Sequence, residues 1–287
     1  MKPGPFHYHA PGTLQEAINL LATRENAKVL AGGQSLMPMM SFRLAMPDHL
    51  IDINDIPGLS DIEIDDAEIR IGAMTRHRDM EFSTELHSAC PLLGEALPHI
   101  GHRQTRNRGT IGGSLAHADP AAELPTVALA LDGIVEAQSP RGLRRIAMSE
   151  FTIGFMTTSL EPDEIVTRVV LPRWPARHGS AFVEFARRRG VFALVSVAAL
   201  VALDTQGRVA RVALAIGGAS SAPLRLWAVE QALRGKMLDQ ASIAAVSAEA
   251  RSIEATEDIH ASTAYRQHLA EILTGRALRL AGERARP

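Results

Sequence analysis

Two prolines in four residues, Pro172-Arg173-Trp174-Pro175, interrupt the chain at a point where neither a helix nor a strand can continue. The pattern differs on either side, which predicts two units, 1–175 and 176–287.

Before the break, helix and short strands alternate. Thr13-Leu14-Gln15-Glu16 is a capping box, and Leu14, Ala17, Ile18 and Leu21 recur at helical spacing, so a helix is expected at about 13–23. Strands are expected at 28–31, 49–53 and 68–73, and a polar helical stretch at about 76–102. A helix at 121–131 follows, then a hairpin of 133–138 with 143–148, and a strand at 165–171. Beyond the break the order becomes strands first and helices after. Strands at 182–188, 194–203 and 208–216 precede helices at 223–234, 239–253 and 261–282, which predicts an α+β unit with helices on a three-stranded antiparallel sheet.

Composition narrows the function. Thirty Lys+Arg against thirty-two Asp+Glu leave a formal charge of -2, which gives no overall attraction to nucleic acid or membrane. Cys90 is the single cysteine, so this chain alone builds no disulfide, four-thiolate zinc site or iron–sulfur cluster. The start, MKPGPFHY, lacks an apolar signal core, and no run reaches the ~20 apolar residues of a membrane span. A cytoplasmic protein is therefore expected.

Two glycine pairs carry the chemistry. Ala31-Gly32-Gly33-Gln34-Ser35-Leu36 follows a strand, and Thr110-Ile111-Gly112-Gly113-Ser114 repeats its composition. A pyrophosphate can be held by successive backbone N–H groups turned inward, which needs residues without a Cβ where the backbone approaches the ligand. One such pair alone is more often an ordinary turn. A third, Ile216-Gly217-Gly218-Ala219-Ser220, reads as the turn between sheet and helix. No G-x-G-x-x-G follows the first strand, and Gly235-Lys236-Met237 lacks the rest of a Walker loop, which argues against Rossmann and P-loop enzymes. Asp119 and Glu123 have i, i+4 spacing; Asp119 before Pro120 reads as a helix N-cap, compatible with a ligand role, rather than half of an acid–base pair. The histidines of His99-Ile100-Gly101-His102 and His117-Ala118-Asp119 lack the further ligands of a metal site.

With the first glycine segment upstream, TIGGSLAHADPAAELP, residues 110 to 125, resembles the medium, FAD-binding subunit of the molybdenum hydroxylases: carbon monoxide dehydrogenase, quinoline and nicotinate-type hydroxylases, and the flavin portion of xanthine dehydrogenase. The similarity runs from Phe6-His7-Tyr8 through Val169-Val170-Leu171-Pro172 to the C-terminal unit. It implies a vanillyl-alcohol-oxidase-like (PCMH-type) FAD-binding domain of two subdomains, about 1–55 and 56–175, followed by a carbon monoxide dehydrogenase flavoprotein-like C-terminal domain. FAD would be held noncovalently. Val29, Leu30, Ala31, Gly32, Gly33, Gln34, Ser35 and Leu36, with Thr110, Ile111, Gly112, Gly113 and Ser114, would line its pyrophosphate mainly through backbone N–H groups. Glu123, with Asp119 beside it, would accept hydrogen bonds from ribityl or ribose hydroxyls. Ile100, Ile165 and Arg187 or Arg188 match positions contacting adenine or isoalloxazine.

Phe192 stands where carbon monoxide dehydrogenases carry a tyrosine near the flavin ring, keeping the stacking face and losing the hydroxyl. Gln34 and Ser114 replace the His and Asn usual in those enzymes, which favours an N-heterocycle hydroxylase of the quinoline type. Arg103, Arg106 and Arg108 then form a partner-facing or FAD-adjacent surface. The partners implied are a large molybdenum-cofactor subunit and a small subunit with [2Fe-2S] clusters, assembled as a dimer of heterotrimers, a heterohexamer. No catalytic residue is expected on this chain. A stand-alone FAD oxidase or reductase is the alternative, and a non-flavin assembly protein a third reading.

Overall fold

The computed structural model describes residues 2–286. A small parallel sheet comes first, with strand order His7–His9, His49–Asp52, Ala27–Leu30. The helix Leu14–Thr23 is capped by Thr13, whose Oγ1 accepts from the Glu16 N–H at 3.2 Å. Ala17, Ile18 and Leu21 fall on one face of it and pack against Ile51 and Ile53.

A five-stranded antiparallel sheet follows, ordered Ile62–Ile64, Glu68–Gly72, Ile165–Pro172, Ile134–Ser139, Gly142–Ala147. The helix Glu123–Ala130 lies wholly buried between this sheet and the C-terminal unit. The strand Ala193–Leu203 shows why its sequence is apolar at every position but Ser196. Val195, Val197, Ala199 and Val201 face the C-terminal helices, while Ala198, Leu200 and Ala202 join the core of the first unit. The proline-rich break at 172–175 is thus a break in the backbone and not in the core, which runs across it.

Three expectations are corrected. The C-terminal sheet has four strands, ordered Gly179–Ala186, Ala193–Leu203, Val209–Gly217, Leu224–Arg225. The two-residue fourth strand is held in register by Arg225, whose buried guanidinium pairs with Glu230 and donates to the carbonyls of Leu129, at 2.6 Å, and Ala130, at 3.1 Å. The stretch 76–102 divides into His77–Phe82, Thr84–Ala89 and Pro91–Ala96, then a short turn, because Ser83 caps the second helix and Pro91 opens the third. Asp119 is not an N-cap. Its Oδ1 accepts from the Ala121 N–H at 2.9 Å, and Ala122 caps the helix instead. Among the described residues no helix is long and apolar enough to cross a membrane.

Candidate functional site

The first glycine segment turns sharply between the strand Ala27–Leu30 and the helix Leu36–Ser41. Gly33 has φ +71, a left-handed conformation that glycine adopts without strain. Gly32 presses on the Arg108 carbonyl. A Cβ there would overlap that oxygen and come within 2.9 Å of the Arg108 carbonyl carbon and Gly109 Cα. Among the described residues, the N–H groups of Gly32, Gly33, Gln34 and Ser35 have no acceptor. The first three of these border a cleft of about 310 Å³ lined by Leu30, Ala31, Gly32, Gly33, Gln34, Met37, Pro38 and Arg108.

The second segment is built differently from the sequence expectation. Gly112 and Gly113 lie in the first turn of the helix Ile111–His117, and the N–H groups there are engaged within the chain. Ile111 donates to Thr75 O at 3.2 Å, Gly112 to Ala73 O at 2.9 Å, Gly113 to Thr110 Oγ1 at 3.1 Å and Ser114 to Thr110 O at 3.0 Å. Its glycines serve close approach instead. A Cβ on Gly112 would meet the Ala73 backbone, and one on Gly113 would lie 2.7 Å from Thr110 Oγ1 and 3.5 Å from Ala31 Cβ. The second segment is therefore the wall against which the first is packed.

A polar brace that sequence reasoning missed joins them. Arg76 donates from Nη1 to Arg108 O at 3.0 Å and from Nη2 to Asn54 Oδ1 at 2.6 Å. Asn54 Nδ2 donates to Ala31 O at 2.9 Å, and its backbone N–H to Asp52 Oδ1 at 2.9 Å. Tyr8 closes the chain of contacts by donating to Asp52 Oδ2 at 2.7 Å. Burial pushes the Asp52 carboxyl up, but the hydrogen bonds from Tyr8 and Asn54 outweigh it and leave its pKa below the usual carboxylate value. Behind the brace His77 is buried, with neither ring nitrogen bonded to a side chain, and burial lowers its pKa to about 4.

A second polar cluster lies where the two units meet. Glu123 is only 4% exposed, and burial pushes its carboxyl up to about 7, with the nearby Glu184 charge adding to the effect. Glu184 Oε1 accepts from His99 Nδ1 at 2.8 Å and raises the His99 pKa, while Glu184 Oε2 is buried without a partner. Ile100 is buried beside His99, and the carbonyls of Ile100 and Gly101 accept from Arg106, itself paired with Glu81 at 2.7 Å. Gly190, at φ +78, packs on the His102 imidazole, which brings the 187–192 loop to this end of the molecule. Arg187 and Arg188 line a cavity of about 340 Å³ and form no ion pair among the described residues, and Phe192 is exposed. Ile165 stands apart. Its side chain is buried in the small core with Ile18 and Ile51 and lines neither cavity. The described residues hold no group of three or more metal-ligating side chains suited to a metal ion.

Comparison with known proteins accords with this geometry. Residues 4–174 match the family described as FAD binding domain in molybdopterin dehydrogenase, and residues 180–281 that described as CO dehydrogenase flavoprotein C-terminal domain. The chain is 42% identical over 289 residues to the 6-hydroxypseudooxynicotine dehydrogenase complex subunit alpha of Paenarthrobacter nicotinovorans, covering 100% of this chain and 98% of that one. It is 41% identical over 285 residues to the nicotine 6-hydroxylase medium subunit of the same organism, covering 99% and 100%. Among solved structures, a chain of carbon monoxide dehydrogenase from Hydrogenophaga pseudoflava superimposes with a TM-score of 0.96 at 36% identity, covering 99% of each chain.

Proposed function

The chain belongs to the family of FAD-binding domains of the molybdopterin dehydrogenases, and from that premise we propose that it is the FAD-carrying electron-transfer subunit of a heteromeric molybdenum hydroxylase. The observation that carries the reading is the first glycine segment. Three residues with acceptor-free N–H groups, Gly32, Gly33 and Gln34, line a cleft that a Cβ at position 32 would disrupt, beside the cationic Arg108. An FAD diphosphate supplies the acceptor oxygens and negative charge that this arrangement lacks, so the residues fit the group.

Val29 to Leu36 would hold the diphosphate, with Thr110 to Ser114 as the supporting wall. Glu123 and Asp119 would accept from ribityl or ribose hydroxyls, while Ile100, Arg187, Arg188 and Phe192 would border the rest of the cofactor and Ile165 would contribute backbone only. FAD, when bound, supplies the passage of electrons between an iron–sulfur donor and an external acceptor. This chain binds it, orients it and limits the access of water. Molybdenum cofactor and [2Fe-2S] clusters belong to the large and small partner subunits, and we take the assembly to be a dimer of heterotrimers in the cytoplasm. The names of the two relatives refer to nicotine and a nicotine derivative, and with Gln34 and Ser114 this favours an N-heterocycle as the substrate on the large subunit.

Purification tests the reading. The chain should carry flavin absorbance and turn over organic substrates only within its complex. Peroxide-forming turnover by the chain alone would favour a stand-alone oxidase, and a colourless protein that FAD cannot reconstitute would overturn the cofactor assignment. Gly33→Val and Gly113→Val should both lower the flavin-to-protein ratio.

A further inference from the structure

Arg76 and Arg108 meet across one peptide carbonyl, and neither forms an ion pair among the described residues. Arg76 is half-buried. Its two visible bonds go to neutral oxygens, Arg108 O and Asn54 Oδ1. Asp79 and, less strongly, Asp52 act on it without reaching it in an ion pair, and Asp52 spends both oxygens on Tyr8 and Asn54. Burial and the Arg108 charge lower the Arg76 pKa by more than Asp79 and Asp52 raise it, so the nearby carboxylates leave the two cations under-compensated. Arg108 is exposed and lines the same cleft as Gly32, Gly33 and Gln34, whose N–H groups have no acceptor among the described residues.

Resting on the FAD reading, we propose that Arg76 and Arg108 form a cation pair awaiting a diphosphate, so that this site recognises the flavin by its dinucleotide bridge more than by its ring. Arg108 is the contacting residue. Arg76 is a positioning residue that acts through the Arg108 carbonyl and through Asn54, which in turn holds the Ala31 carbonyl. Its planar fork reaches both oxygens at once, which lysine cannot do. The pair thereby ties the spacing of the two glycine segments to the charge of the ligand.

The test uses the full chain freed of flavin, with ADP and adenosine as probes in calorimetry. ADP carries the diphosphate; adenosine carries only the nucleoside. Arg108→Gln and Arg76→Gln should each weaken ADP by about tenfold, the worth of one charge-assisted contact, and leave adenosine unchanged. Arg76→Lys, which keeps the charge and is the variant to use if the glutamine form does not fold, should fall between wild type and Arg76→Gln. Wild-type ADP affinity should drop with added NaCl, and less steeply in Arg108→Gln. An ADP-to-adenosine ratio unaltered in the variants would overturn the cation pair while leaving the FAD reading standing. A wild-type chain that binds neither FAD nor ADP would take both down.

Discussion

With Glu123 receiving the flavin's hydroxyls as proposed, flavin binding should release a proton near neutral pH. Burial lifts the Glu123 carboxyl from 4.5 to about 7 in the flavin-free chain. The folded state therefore holds a proton that the unfolded chain gives up, and stability falls as pH climbs through that window. The difference corresponds to about 3 kcal/mol, fully lost above pH 7. Hydroxyls donating to Glu123 favour its ionised form and would return its pKa toward the ordinary value, so binding below pH 7 should expel the proton. With a free value of about 7 and a bound value of about 4.5, affinity should fall about 40-fold from pH 7 to pH 5, with about 0.9 proton released per flavin at pH 6. Calorimetry at pH 6 in two buffers of different ionisation enthalpy measures that proton directly. Glu123→Gln should abolish it, flatten the affinity profile and stabilise the flavin-free chain at pH 8. Binding at pH 6 without proton release, or a Glu123→Gln profile identical to wild type, would refute a carboxylate that ionises to receive the cofactor.

Further outcomes follow from the same geometry. Gly32→Ala forces the first segment off Arg108 and should cost about 1–3 kcal/mol as an overpacked contact, with loss of flavin. Gly12→Ala, where a Cβ meets nothing within 4 Å, is the control, and equal flavin content in the two would be the contrary result. His77 opposes Glu123: burial lowers its pKa from 6.5 to about 4, so the unfolded chain takes the proton first and stability falls as pH drops through that window. The two effects offset each other between about pH 6.5 and 4.5 in the wild type, and urea titrations of His77→Gln should show the Glu123 trend unmasked. Arg225→Met leaves Glu230 buried without its partner and two carbonyls without a donor, and should cost about 3–5 kcal/mol in chemical unfolding.

What was legible in the sequence was what the chain settles within a few residues. The capping box at Thr13 and the apolar face of Leu14–Thr23 use partners three and four positions away, and the hairpin Ile134–Ser139 with Gly142–Ala147 closes on its own turn. Even locally, Asp119 went to the Ala121 N–H two residues on and left Ala122 to cap the helix, because a short carboxylate can satisfy either geometry. The brace was not legible. Its bonds join Tyr8 to Asp52, Asn54 to Ala31 and Arg76 to Arg108, spans of 44, 23 and 32 residues set by tertiary packing inside the first unit. The three glycine pairs make the reason concrete. Spelled alike, they differ in who takes their N–H groups: Ala73 and Thr75 carbonyls and the Thr110 hydroxyl at the second pair, the Pro120 carbonyl for Gly218 at the third, and no group among the described residues at the first. Glycine licenses close approach at all three, but an anion can be held only where the donors remain free. By that criterion the proposed cradle is the first pair, with the second packed against it as a wall and the third a turn.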